Sequence, residues 1–378
     1  MKNGWQTEPI GNLCDVLDNR RKPITKRDRI AGYYPYYGAT GILSHVEGYL
    51  FDEKLVLVGE DGAKWGSGEM TAFSTEGKIW VNNHAHVLRP QRDKVLDNWL
   101  VYFLNHSDLS KYVSGLTVPK LNQGSLREIL IPLPPLPEQK RIVGILDQAF
   151  DGIATAKANA EKNLQNAREI FESHLQAVFT QRGEGWVATV LGDAYDVRDG
   201  THDSPKYHAS GFPLITSKNL KREGLSFDNV KLISEQDYNK INERSAVHKG
   251  DVLLAMIGTI GNPTLVSVEP KFAIKNVALF KIPSGKCGEF LKHYLGSRWV
   301  ISKMMEEAKG TTQKFVGLGY LRAFPINVPP SRTQLAIVQK LNELSGETRC
   351  LESIYQKKID SLDELKKSLL HQAFSGEL

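Results

Sequence analysis

Leu126-Arg127-Glu128-Ile129-Leu130-Ile131-Pro132-Leu133-Pro134-Pro135 opens a stretch that the chain carries twice. It runs on through Gln139, Ile142, Val143 and Leu146 to Ser173, Leu175 and Phe179. The second copy opens at Leu321-Arg322. It passes Ile326, Pro329-Pro330, Gln334, Ile337, Val338 and Leu341 and ends at Ser368, Leu370 and Phe374. Matching residues lie 195 positions apart with no gap, and about 14 of some 55 positions are identical. Solenoid repeats are shorter, with periods of about 20–50 residues. This repeat therefore divides the chain into two large halves that end in the same device.

The device reads as the start of a long helix. A Pro-Pro pair cannot lie inside a helix, so each helix begins after its pair. In the first copy Pro137 suits the first turn and Glu138 the positive end of the dipole. The second copy has Ser331-Arg332-Thr333 there, and that end is expected to fray. Beyond it runs an apolar seam at heptad spacing: Leu146, Ala149, Ile153, Ala156, Ala160, Ala167, Ile170 and His174, broken at Asn163 with Leu164 beside it. The second seam is Leu341, Leu344, Thr348, Leu351, Tyr355, Leu362, Leu365 and Leu369, broken at the equivalent Lys358 with Ile359 beside it. The shared defect favours packing of one helix on the other over each helix merely covering its own domain. The contacts expected to carry it are Leu146, Ile153, Ala160 and Ile170 against Leu344, Leu351, Tyr355, Leu362 and Leu365. Each helix should run for roughly 40 residues, or 60 Å.

With 378 residues the chain is long enough for two or more domains with cores of their own. Cys14, Cys287 and Cys350 are scattered, which argues for a reducing compartment and against a disulfide framework or a cysteine metal cluster. Met1-Lys2-Asn3-Gly4-Trp5 has no apolar signal region, and no apolar run approaches the length of a membrane span. A cytoplasmic protein is the expectation. The formal charge is +5, and its placement is uneven: +1 over 1–130, −1 over 131–180, +5 over 181–325 and 0 over 326–378. The balanced stretches are the two helices; the excess suits a polyanion partner without demanding one.

Between the helices lie two segments of mixed character. Short β-rich runs (Lys54–Val58, Ile79–Val81, Asp251–Met256, Val277–Phe280) are bounded by Gly and Asn turns. A helical stretch follows in each, near 97–112 and 288–308. Gly4-Trp5 with Ile10-Gly11 matches Gly185-Trp186 with Leu191-Gly192, and Gly115-x-Thr117 matches Gly310-x-Thr312. The fold class is therefore α+β. Two mixed α/β domains, 1–130 and 181–325, are joined by two long antiparallel coiled-coil helices, 131–180 and 326–378, in a pseudo-twofold repeat.

Motifs for catalysis are missing. There is no GxxxxGK[ST] phosphate loop, and Gly258-Thr259-Ile260-Gly261-Asn262 reads as a turn. An amino-methyltransferase needs Asp/Asn-Pro-Pro-Tyr/Phe, but the Pro-Pro pairs here precede Leu136 and Ser331. His84-x-His86 lacks an acidic or Cys partner at ligand spacing, so it reads as a structural strand pair and not as a metal site. No catalytic and no metal-binding residue is assigned.

The layout resembles the specificity subunit of type I restriction–modification systems. The residues that carry the likeness are Leu126 to Gln139, Pro329-Pro330 to Gln334, and the ending Leu369-Leu370-His371-Gln372-Ala373-Phe374-Ser375-Gly376-Glu377-Leu378. Tyr34 to Gly41, Val58 to Ala63, Val81 to Leu88 and Asp199 to Pro205 add to it. The likeness covers the whole chain. It implies that each domain, as a target-recognition domain, reads one half of a split double-stranded DNA target. The helices would space the domains and dock two methyltransferase subunits. The resemblance also implies restriction (translocase/nuclease) subunits as partners and no membrane. No cofactor belongs to this chain; S-adenosylmethionine is expected on the methyltransferase subunits.

The residues expected to reach DNA are basic, hydroxyl- or amide-bearing and lie in Gly/Pro-rich loops, where phosphate contacts position and base-edge contacts specify. In the first domain they are Arg20, Arg21, Lys22, Lys26 and Arg27 around Pro23, together with Tyr36, Lys64 and Thr117. In the second they are Arg198, His202, Lys206, Lys218, Asn219, Lys221 and Arg222, and then Thr312, Gln313 and Lys314. The alternatives are a coiled-coil scaffold that binds only protein, which DNA binding with a steep salt dependence would oppose, and a single-chain enzyme.

Overall fold

The computed structural model describes residues 5–115, 117–180, 183–221, 223–310 and 314–378. Arg222, Thr312 and Gln313 lie outside the described residues. The long helices are Leu136–Thr180 and Ser331–Ser375, 45 residues each, with both ends in the 195-residue register. Each is a turn longer than the seam implied. The second does not begin later than the first, although it lacks the acidic first turn. Pro330 O accepts from the amides of Thr333 and Gln334, as Pro135 O accepts from Glu138 and Gln139. The Ser331 hydroxyl adds a bond to Gly285 O. The expected fraying is replaced by a start held by backbone bonds to Pro330 O and by the Ser331 tie to Gly285.

The repeated glutamine explains why this start recurs. Gln139 is fully buried. Its Oε1 accepts from the amide of Leu96 (3.0 Å), which caps the helix Asp97–His106. Its Nε2 donates to Lys94 O and Pro134 O, both at 2.9 Å. Gln334 does the same in the second half. It accepts from the amide of Cys287 (2.9 Å), the cap of the helix Gly288–Gly296, and donates to Pro329 O (2.8 Å). Each glutamine ties the start of a long helix to the start of a domain helix, and no shorter or apolar side chain satisfies the same groups.

The chain forms two compact units. One comprises 1–161 with 356–378; the other comprises 162–355. In the first, an antiparallel sheet runs in the order Cys14–Val16, Ala85–Pro90, Leu55–Gly59, Ala72–Thr75. Its central run, Leu55 to Val58, is buried throughout because both faces are covered. A second sheet contains the long hairpin Ala31–Gly38 and Gly41–Val46, with Ala31–Gly38 also pairing parallel to Lys78–Val81. The ribbon Gln6–Pro9 with Leu130–Leu133 closes the unit. Ile142, Val143 and Leu146 of one long helix and Leu370, Ala373 and Phe374 of the other complete its core. Phe374 packs edge-on to Trp99, ring centroids 4.8 Å apart, and the Trp99 indole donates to Pro132 O.

The second unit is built on the same plan. Its main sheet runs Asp196–Asp199, Val277–Lys281, Val252–Ala255, Gly261–Leu265. Phe212–Ile215 pairs parallel to Ala273–Ile274, and Val187–Val190 with Pro325–Val328 forms the closing ribbon. Phe179, the repeat partner of Phe374, meets Phe290 and Tyr294, and the Tyr294 hydroxyl donates to Pro325 O. The expected helix near 288–308 is two helices, Gly288–Gly296 and Arg298–Glu307, broken at Ser297. Where the first domain has its long hairpin, the second has the shorter pair Phe212–Ile215 with Lys231–Ile233, followed by the helix Glu235–Ser245. The scaffold is shared, and the outer elements differ.

Within each unit the helix segments run antiparallel. In the first, Arg141 Nη2 donates to Leu378 O, Lys366 lies over the Phe150 ring and Lys157 pairs with Asp363 at 2.6 Å. In the second, Arg168 pairs with Glu352 at 3.3 Å. Leu146, Ile153 and Ala160 are buried, and Leu344, Tyr355 and Leu362 are half-buried. Three expected contacts fail: Ile170 is 51 % exposed, Leu351 38 % and Leu365 47 %. For Ile170 the cause is the defect at Asn163: the stripe steps from Ala160 to Leu164 by four residues, a stutter, and the buried positions beyond it are Ala167 and Leu175. In the other helix Ile359 is buried beside the equivalent Lys358. Among the described residues no helix is long and apolar enough to cross a membrane.

Candidate nucleic-acid interface

In the first domain the basic loop leaves the strand Cys14–Val16. Its root is held by a buried charge network. Asp18 accepts from the Val87 amide (2.9 Å), from His86 Nδ1 (2.6 Å) and from Gln123 Nε2 (3.0 Å). His86 Nε2 donates to Leu121 O at 2.7 Å. Arg21 bonds Asp18 O, Ala85 O and the Glu60 carboxylate, and Lys120 reaches the other Glu60 oxygen at 2.7 Å. Burial pushes the Asp18 carboxyl up, but hydrogen bonds led by His86 outweigh it and hold it below its ordinary value. Glu60 is likewise pushed up by burial and held low overall by Lys120 and Arg21. Asp18, Glu60 and His86 lie close enough together to hold a cation. Each already has protein partners, so the cluster is a closed ion-pair network.

This network corrects two expectations. Arg21 is an internal strut and not a DNA contact. Tyr36 is 1 % exposed, and its hydroxyl bonds both N and O of Ile24, so it pins the loop from beneath. Arg20 is partly occupied as well, lying over the Phe51 ring and donating to Leu50 O. Lys22, Lys26 and Arg27 are exposed on the loop, with Arg27 beside Asp28. Lys64 is exposed and 3.6 Å from Glu69. The neighbouring hairpin presents Tyr33 (94 % exposed), Ile42 and Leu43. A two-stranded ribbon of this kind fits the DNA major groove.

In the second domain Arg198 is turned inward, onto Asp196 and Arg244 O. Asn219 is buried in a capping box with Thr216. Neither is free to read DNA. His202 bridges Asp199 and Asn276. Lys206, Lys218, Lys221 and Lys314 are exposed. Lys221 lines a groove of about 480 Å³ with Arg168, Lys292 and Arg349, cations that the sequence did not single out. Gly115 and Gly310, 195 positions apart, both hold left-handed φ (+96° and +102°), so the two loops open on the same backbone conformation. Thr117 is exposed in the first of these loops. Exposed cations thus come from loops of both domains, while Arg21, Arg198, Asn219 and His202 are used internally.

Replacing Lys22, Lys26 and Arg27 with Ala is expected to weaken DNA binding on all sequences and to flatten its salt dependence by up to about 0.9 log units per lost phosphate contact. Titration of binding against salt reads this; an unchanged slope would make the loop merely solvated. Arg21→Ala should instead destabilise the first domain, because it leaves Asp18 and Glu60 short of a partner.

The model for the type I restriction modification DNA specificity domain matches residues 2–165 and again 183–359. A putative type I restriction enzyme specificity subunit of Haemophilus influenzae, S.HindORF215P, is 27 % identical over 353 residues, covering 91 % of this chain and 88 % of its own. The MjaVIII specificity subunit of Methanocaldococcus jannaschii is 22 % identical, covering 99 % and 93 %. Among solved structures, a chain of a type I R-M system complex superposes over 100 % of this chain and 99 % of its own, with TM-score 0.77 at 17 % identity. The HsdS subunit of Thermoanaerobacter tengcongensis superposes over 100 % and 98 %, with TM-score 0.59 at 16 % identity.

Proposed function

This chain belongs to the type I restriction–modification DNA specificity family, and from that membership we infer that each of its two domains reads one half of a bipartite DNA target. The observation that carries this reading is one scaffold used twice with unlike outer elements: a long hairpin at Ala31–Gly38 and Gly41–Val46 in one domain, and in the other a short pair, Phe212–Ile215 with Lys231–Ile233, that leads into a helix at Glu235–Ser245. Two unlike readers in one chain call for an asymmetric site. Exchanging residues 1–125 for the matching domain of a relative is expected to change one half of the methylated motif and leave the other intact. Concerted change of both halves would oppose modular reading.

The partners are methyltransferase subunits, two by the pseudo-symmetry of the helices, and restriction subunits in the full assembly. Support comes from the apolar side chains the helices leave on their surface, Ile170, Leu351, Ile354 and Leu365, which are 38–53 % exposed. Methyl transfer from S-adenosylmethionine belongs to those partners. The purified chain alone should incorporate no labelled methyl group into DNA, and robust incorporation would return it to the enzymes.

A further inference from the structure

The repeat continues into the loop roots. Cys14-Asp15-Val16-Leu17-Asp18 and Tyr195-Asp196-Val197-Arg198-Asp199 are 181 positions apart. Both stretches form strands at the same edge of their sheets, pairing with Ala85–Pro90 and Val277–Lys281. Three residues beyond each aspartate stands a group that bonds back to it: Arg21 to Asp18 at 3.4 Å, His202 to Asp199 at 2.8 Å. Arg21 also reaches Ala85 O at the start of the neighbouring strand. His202 Nδ1 lies 2.8 Å from Asn276 Oδ1, one residue before the start of its neighbouring strand. The two side chains make the same tie.

We propose that His202 is the positioning residue of the second domain's reading loop, doing with a titratable ring what Arg21 does in the first domain with a permanent charge. The proposal rests on the reading of these loops as DNA contacts. Behind His202 the root is fixed by backbone: Gly200 lies so close to Ile274 O that an added Cβ would stand 2.2 Å from it, and Thr201 exchanges hydrogen bonds with Ile274 and Asn276. Ahead of it Asp203, Ser204 and Lys206 to Ser210 are exposed. His202 therefore stands where the buried root gives way to the exposed loop.

With the Asn276 amide oxygen toward Nδ1, both ring nitrogens face oxygen acceptors, and the protonated ring donates to both. The charged groups around it come from every neighbouring element. Asp199 on its own strand and the Asn276 carbonyl favour the proton. Arg244, on the helix Glu235–Ser245 and itself bonded to Asp199, opposes it. Asp203 is adjacent, Lys275 is engaged with Ser204 at 2.6 Å, and Asp237 and Lys240 face it across a cleft of about 410 Å³. Hydrogen bonds to Asn276 and then Asp199 raise the His202 pKa above its ordinary value, with burial and Arg244 pulling the other way. The tie is complete below the ordinary histidine pKa and is lost as pH rises through the raised value. Arg21 stays charged throughout.

The test uses this chain in complex with its modification subunits. The probes are a labelled duplex carrying the motif that the complex methylates and two duplexes with one half-site scrambled each. Affinity is measured at about pH 6 and about pH 9, which bracket histidine titration. The parent should lose about ten-fold on the intact motif across that range. His202→Arg should bring the ratio between the two pH values close to one, and His202→Ala should bind weakly at both. Scrambling the second domain's half-site should remove the pH effect; scrambling the other should keep it. A parent-like pH ratio in His202→Arg would overturn the proposal, as would parent-like affinity of His202→Ala at the lower pH. If the complex binds none of the duplexes, the assignment as a DNA reader falls first.

Discussion

Replacing Gln139 with Leu is expected to lower the stability of the unit formed by 1–161 and 356–378 by about 3 kcal/mol, roughly one for each of three lost hydrogen bonds. The substitution keeps the apolar volume but leaves the Leu96 amide and the carbonyls of Lys94 and Pro134 without their partner, around a side chain that is itself fully buried. Gln334→Leu removes two such bonds and should cost about 2 kcal/mol in the other unit. Urea denaturation of each variant, followed by tryptophan fluorescence, measures this. Trp5, Trp65, Trp80 and Trp99 report on the first unit and Trp186 and Trp299 on the second. Lys140→Ala, on the exposed side of the same turn, should stay within about 0.5 kcal/mol of the parent. A Gln139→Leu variant as stable as Lys140→Ala would mean that the repeated glutamine is not a structural tie.

Inserting four residues after Asn166 and four opposite them after Ile354 is expected to lengthen the gap in the DNA target by one or two base pairs. Each insertion adds about 6 Å of helix, at about 1.5 Å per residue. The rise per base pair is about 3.4 Å. Four residues exceed one turn by only about 40°, and the seam already contains one such step at Leu164. Inserting in both helices preserves pairs such as Arg168 with Glu352 and Lys157 with Asp363 on either side of the insertion. The specified bases at each end should remain, and the parent motif should lose its methylation entirely. A stable, active variant with an unaltered gap would show that helix length does not set the spacing.

The helices were legible because their ends are constrained by packing that leaves few choices. Gln139 and Gln334 satisfy the same caps, Phe179 and Phe374 fill the same aromatic clusters, and the Pro-Pro pairs fix where the helices start. The seam was legible only as far as its defect. A four-residue step turns the buried face beyond it, and Ile170 and Leu365, each past the defect of its helix, are exposed as a result. The interface was less legible still. A loop arginine looks the same in sequence whether its partner is a phosphate or a buried carboxylate. For Arg21 the deciding partner, Glu60, is 39 positions away, brought near by the pairing of Leu55–Gly59 with Ala85–Pro90. Tyr36 and Asn219 misled for a similar reason, since each uses its polar atoms on nearby backbone within its own domain. One long-range signal present was the 181-residue echo that places Asp18 and Asp199 at equivalent loop roots.

The most direct test of the central claim is genome-wide mapping of methylated adenine in cells that carry this chain with its modification subunits, beside cells that lack it. Two unlike reading domains on a duplicated scaffold predict one new motif: two different short half-sites separated by a fixed gap of unspecified bases. A motif that is continuous, that has identical halves, or that persists when this chain is removed would contradict the account.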